Sequence, residues 1–211
     1  MTEAHPAEGV FAIAFRGHPC VFSGPGVHRL DVPAGSWTGS ISGDVSLLDL
    51  CVGPTLDVGC GPGRLTRLLA ERGEIVLGID VVPEAIWQTR HRGVVAILRD
   101  VFERVPAEGR WQTVLLADGN IGIGGDPVRL LRRIAQLLAP GGRVVADVAP
   151  PGTGLRSGEV CLSAGGLTSE PFPWAVVGAD AVDDVAAEAG FTAELRSADD
   201  RWVCVLHEVP A

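Results

Sequence analysis

The chain has 211 residues and a formal charge of −9 at pH 7, long enough to bury a core within one domain. That acidity argues against a protein that tracks nucleic acid by its net field, which needs clustered cations, and favours small or neutral polar partners. No apolar run reaches the roughly 18 residues of a membrane span, and the N-terminus lacks a basic-then-apolar secretion pattern. Five cysteines (20, 51, 60, 161, 204), odd in number and without a C-x-x-C pair, suggest neither a disulfide framework nor a zinc site. A protein of the reducing cytoplasm is expected, and the high Ala, Gly, Val and Arg content hints at a GC-rich bacterial source.

Residues 1–53 read as a segment rich in Gly, Pro and Ser that covers an active site, with Phe11 to Phe15 as a strand and Asp44 to Leu50 starting a helix. His18, His28 and Trp37 are its candidate lid residues. Residues 54–211 read as the main body of a single domain. Thr55 to Val58 is a short strand, and Arg64 to Arg72 repeats Leu65, Leu68 and Leu69 at helical spacing. Between them lie Gly59, Gly61 and Gly63. Glycine accepts positive φ and has no Cβ, so the turn offers a ligand its backbone and the positive end of a helix. A Gly-x-Gly-x-x-Gly dinucleotide fingerprint counted from Gly59 would need a glycine where Arg64 stands. Asp57, just before the turn, suits an ammonium group, so an amino-acid zwitterion is favoured over a pyrophosphate.

The next strand, Ile75 to Asp80, ends in an acid 17 residues after Gly63, near the roughly 20-residue interval of a ribose carboxylate. A helix opened by Pro83 follows, then strands at Val94 to Arg99 and at Trp111 to Ala117. The segment Asp118 to Pro127 is glycine-rich, either backbone held close to a ligand or a flexible gate. A fifth strand, Arg143 to Val148, follows the Ala139-Pro140-Gly141-Gly142 turn. This alternation predicts a parallel sheet with helices on both faces. Beyond Pro150, a hairpin joins Val160 to Ser163 with Leu167 to Ser169 inside an insertion near residues 152–176. A helix from Asp180 to Ala189 stops at Gly190, and Trp202 to His207 is the last strand.

The run LDVGCGPGRLTRLLAERG resembles the first motif of class I S-adenosylmethionine-dependent methyltransferases, and the similarity extends over roughly Gly53 to Val148. It implies an α/β, Rossmann-like, doubly wound, mostly parallel seven-stranded sheet with an antiparallel last strand. It also implies S-adenosyl-L-methionine as cofactor, with S-adenosyl-L-homocysteine as product. Carried over position by position, the cofactor site comprises Asp57, Gly59, Cys60, Gly61 and Gly63 around the methionine part. Asp80 and Val81 fall at the ribose, Asp100 and Val101 at the adenine, and Asp118 beyond the fourth strand. Trp37, Asn120 and Trp174 are candidates for binding the acceptor. Motifs of nucleobase and catechol methylation are absent, which leaves a small-molecule acceptor, with oxygen favoured and His or Asp as a base. The alternatives are a catalytically inactive binding relative and a nicotinamide-dependent reductase, the latter disfavoured by Arg64 and the absence of Tyr.

Overall fold

A computed structural model describes residues 4–24, 27–39, 42–198 and 201–209. The N-terminal part holds α1 (Ala7–Phe15), β1 (Cys20–Gly24), β2 (Val27–Val32) and α2 (Asp44–Leu48). The alternating part runs β3 (Thr55–Val58), α3 (Arg64–Glu71), β4 (Val76–Asp80), α4 (Pro83–His91), β5 (Ala96–Leu98), β6 (Trp111–Leu116), a 3-10 turn at Asn120–Gly122, α5 (Pro127–Ala135) and β7 (Leu138–Val148). Then follow β8 (Leu155–Ala164), β9 (Leu167–Thr168), β10 (Phe172–Val177), α6 (Val182–Ala189), β11 (Phe191–Ala198) and β12 (Arg201–Glu208).

Seven strands form one sheet in the order β11-β12-β7-β6-β3-β4-β5. The pairs β3–β4, β3–β6, β4–β5 and β6–β7 are parallel, while β12 runs antiparallel to both its neighbours. The central strands are apolar on both faces, as a sheet covered by helices demands. Leu56, Val114, Leu115, Leu116, Val144, Val145 and Ala146 are all fully buried. Strand order reverses at β3, whose neighbours β4 and β6 lead away in opposite directions, and the crevice at such a switch point is where open α/β sheets take ligands.

The N-terminal segment and the expected insertion are halves of one structure. In a second sheet of order β10-β8-β1-β2, with β9 on β8, Cys20 of β1 lies opposite Ala164 of β8. Helix α1 packs on this sheet, burying Val10 and Ala14 together with Cys20, Phe22, Val160 and Leu162.

The Phe11 to Phe15 strand reading is corrected by the structure. Those residues belong to α1, which starts after Pro6 and buries Val10, Ala14 and Phe15 at helical spacing. A short apolar run fits either period, and the i,i+4 placement of Phe11 and Phe15 against one cluster decides it. Strand β11, unanticipated, pairs with β12 at the sheet edge. Helix α5 follows expected capping chemistry: Asp126 accepts from the Arg129 N–H at 2.9 Å and Pro127 occupies the first turn. Gly190, at φ 86°, closes α6 as expected.

Candidate active site

A cavity of about 1200 Å³ opens between the C-terminal ends of β3, β4 and β6 and the second sheet. Of the thirteen residues singled out in the sequence, Asp57, Gly59, Cys60, Gly61, Asp80, Val81, Asp100, Val101, Asp118, Asn120, Trp37 and Trp174 line it, and Gly63 does not. His18 is exposed and does not line it, and the His28 side chain lies outside the described residues.

The three glycines serve different ends. Gly59 (φ 70°) lies against the Asn120 amide, where an added Cβ would fall 2.6 Å from Nδ2. Gly63 (φ 81°) begins α3 and lies against Thr89, whose Oγ1 would be 2.5 Å from such a Cβ. The close packing at Gly63 follows from the place of Thr89, which donates from Oγ1 to the Gly61 carbonyl at 2.9 Å. Only Gly61 (φ 52°) has its Cβ direction open to the cavity, with nothing nearer than the Phe15 ring at 3.8 Å. Gly63→Val is therefore expected to cost several kcal/mol in urea unfolding. Gly61→Val should cost about 1–2 kcal/mol of backbone strain and obstruct the cavity. Equal destabilisation of the two variants would refute this division.

The turn's amides are also largely spent within the protein. Gly59 and Cys60 N–H donate to Ile79 O at 2.9 and 3.0 Å, and Gly63 N–H donates to Cys60 O at 3.0 Å. Cys60, which also lines the cavity, packs with Ile86 and Ala96. What remains for a ligand is the first turn of α3, whose amides have no i−4 partner, and the Asp80 carboxylate. Gly61 N–H donates to Asp80 Oδ2 at 2.9 Å and Val82 N–H to Oδ1 at 2.8 Å. A carboxylate offers about four lone-pair positions, more than these amides use, and Asp80 lines the cavity. Burial pushes the Asp80 pKa up, and the backbone amides of Val82, Gly61 and Val81 pull it back.

Asp57 sits under the turn, fully enclosed, and accepts from Thr66 Oγ1 at 2.6 Å. Burial pushes it up to about 7, the Thr66 bond opposing. Between about pH 4 and pH 7 the folded chain holds this proton and the unfolded chain does not, so stability is lost as pH rises through that window. Asp57→Asn is expected to flatten that part of the urea-midpoint profile between pH 4 and pH 8, and an unchanged slope would count against it.

Asp100 accepts from the Phe102 N–H at 2.9 Å, and Val101 is buried beside it. Asn120 spends its amide nitrogen on Val58 O and Gly59 O, at 2.9 and 3.0 Å, which clamps the glycine turn and leaves only its Oδ1 for a ligand. Asp118, in the left-handed region at φ 53°, belongs to a network that sequence reading missed. Arg64 pairs with Asp44 and, at 2.7 Å, with Asp118. Arg201 pairs with Asp147 at 2.5 Å, Asp44 at 2.9 Å and Asp118 at 3.0 Å. Arg64 Nε is buried without a hydrogen-bond partner.

The opposite wall is apolar. Phe11, Phe15, Phe22, Trp37, Phe172 and Trp174 line it. None of the described lining residues is a histidine, and the chain contains no lysine or tyrosine.

An adenosyl amino acid fits these features: a strand-end carboxylate at Asp80 for a diol, space beside Gly61 where a side chain would stand, and the Asp57 carboxylate beneath the turn.

Residues 55–142 match the family model described as a methyltransferase domain. Among curated proteins the chain is 34% identical over 100 residues to an uncharacterized methyltransferase of Mycobacterium tuberculosis, covering 46% of this chain and 40% of that protein. It is 33% identical over 104 residues to a ubiquinone biosynthesis O-methyltransferase of Xanthomonas oryzae, covering 46% and 43%. The chain thus spans about two fifths of the length of these relatives. A crystal structure of an S-adenosylmethionine-dependent methyltransferase from Bacteroides fragilis with S-adenosylhomocysteine superposes with a TM-score of 0.77, at 21% identity and 99% coverage of each chain. Residues 55–142 thus match a methyltransferase domain, and the strand order with the glycine turn at the switch point is the Rossmann-like fold shared with that solved S-adenosylmethionine-dependent methyltransferase.

Proposed function

We propose that the protein transfers the methyl group of S-adenosyl-L-methionine to the oxygen of a small-molecule acceptor. The observation that carries this reading is the pairing of Asp80, a buried carboxylate that lines the cavity, and Gly61, the turn glycine whose Cβ direction is open. In it, Asp80 holds the ribose diol, and Asp100 with the Val101 amide meets the adenine. Asp57 and the first turn of α3 meet the amino-acid end. The cofactor supplies an activated methyl on a sulfonium, a leaving group that needs no protonation.

The chain's contribution is alignment and exclusion of water. Holding the acceptor near 3–3.5 Å from the methyl and on axis supplies much of the rate gain. The second sheet and α1 then act as the cover, which makes residues 1–53 and the 152–176 segment one functional unit. The oxygen assignment draws support from the O-methyltransferase named among the relatives. None of the described wall residues is a histidine, and Asp118 and Asp147 are engaged by arginines, so the reading takes an acceptor hydroxyl acidic enough to ionise to solvent. Held by Asp80, Asp100 and Asp57, the cofactor would supply the methyl group and would leave as the neutral thioether.

Calorimetric titration with S-adenosylmethionine, S-adenosylhomocysteine and NADH in parallel tests the cofactor. Micromolar binding of the adenosyl ligands with none of NADH is expected; NADH binding alone, or binding of none, would reject the reading.

A further inference from the structure

Eight of the chain's eleven phenylalanines and tryptophans line the cavity. Six of them form one continuous wall, contributed by α1, β1, the segment before α2, and β10. Phe15 and Trp37 meet at a centroid distance of 5.3 Å, Phe11 and Phe172 at 5.7 Å, Phe11 and Phe22 at 5.9 Å, and Phe22 and Trp174 at 6.2 Å. Every pair within the wall is tilted or edge-on, with interplanar angles from 34° to 83°. No ring face is consumed by parallel stacking, so faces remain for something else to lie against. Phe11, Trp37, Phe172 and Trp174 are only partly buried by the protein.

The wall is continuous with the cofactor cradle. Phe15 stands over the open side of Gly61 and packs with Val82 and Ala85 just beyond Asp80. At about 1200 Å³ the cavity exceeds the roughly 300–1,000 Å³ of a single-ligand pocket, so a second molecule has room beside the cofactor. The charged lining residues lie on the other side, mostly in the turn, the strand ends of the large sheet and the arginine network. Among the described residues lining the aromatic side, only Glu8, at the exposed start of α1, carries a charge. A sugar, a polycarboxylate or a phosphate brought there would lose water and gain few partners.

From this geometry we propose that the acceptor is a flat aromatic ring bearing the hydroxyl to be methylated, held by its face against Trp174 and Phe172. The inference rests on the methyltransferase reading and specifies its substrate class. Trp174 is the specificity-determining residue, because it sits at the junction of the two sheets, its backbone bridged to Ile123 beside the 3-10 turn.

The test is calorimetric. Protein is first titrated with S-adenosylhomocysteine, and the loaded protein then with 1-naphthol, glucose and trans-aconitate. Saturable binding of 1-naphthol alone is expected. Trp174→Leu, which keeps apolar bulk but removes the ring face, should weaken 1-naphthol binding about five- to ten-fold. Trp174→Phe should restore most of it, with S-adenosylhomocysteine affinity unchanged in both. Failure of S-adenosylhomocysteine to bind overturns the cofactor reading and this inference with it. Normal S-adenosylhomocysteine binding overturns the substrate class alone if 1-naphthol does not bind, if glucose or trans-aconitate binds as well, or if Trp174→Leu binds 1-naphthol as the parent does.

Discussion

Asp80→Ala is expected to weaken S-adenosylmethionine binding by at least about 10- to 100-fold, with the chain still folded. Two effects add. A charged carboxylate that accepts two ligand hydroxyls is worth about 1.5–3 kcal/mol of binding through such bonds. The same carboxylate also accepts from the Gly61 and Val82 amides, so its removal frees the turn at the one glycine that faces the cavity. Asp80→Asn separates the effects. The amide keeps the size and one acceptor oxygen, so it can satisfy one of the two backbone donors, but its nitrogen opposes the other. It should bind more tightly than the alanine variant and more weakly than the parent. Calorimetry with S-adenosylhomocysteine, alongside circular dichroism for the fold, measures both. Parent-like affinity in a folded Asp80→Ala would remove Asp80 from the site and the carrying observation from the proposed function.

The region from Thr55 to Val148 was legible because its signals are local. An apolar strand, a glycine turn and a leucine-spaced helix lie within about 20 residues, and each β-strand end delivers its acid to the same sheet edge. The roles inside that region were less legible. Gly59, Gly61 and Gly63 look equivalent in the sequence, yet two of them answer to Asn120 and Thr89, residues dozens of positions away. Asn120 was read as a substrate residue, and its amide nitrogen turns out to hold the turn.

Outside that region the informative contacts are long-range. The pairing of Cys20 with Ala164 joins a segment that read as a loose cover to one that read as an insertion, and no local pattern announces it. Phe11 and Phe15 carried the signal for the aromatic wall, but only a helix brings both onto one side, and the strand reading concealed it. Strand β11 escaped notice because its sequence, FTAELRSA, is half polar and carries charges at Glu194 and Arg196, as suits an edge strand with one partner.

The largest expected effect on stability falls on the network that sequence reading could not assemble, since its members stand at positions 44, 64, 118, 147 and 201. Arg201→Ala is expected to destabilise the protein by about 3–5 kcal/mol. Asp147, 6% exposed, would be left without its guanidinium and with only the Asp118 N–H, at 2.7 Å, on its carboxylate. Burial already pushes its pKa up against the pull of Arg201; without that pull the folded state must either protonate Asp147 or bury a bare charge. Loss of stability should therefore be greatest at neutral pH and smaller near pH 4, where protonation relieves the charge. Arg201→Met combined with Asp147→Leu removes both charges and fills the space, and this double variant should be more stable than Arg201→Ala alone. The network also ties Asp44 of α2 and Arg201 of β12 to Asp118 beside the cavity, so the single variant should lose cofactor affinity as well. Urea unfolding of the three proteins at pH 4.5 and 7.5 measures the stability claim. A cost under about 1 kcal/mol for Arg201→Ala would mean that solvent screens these charges as it does on an open surface.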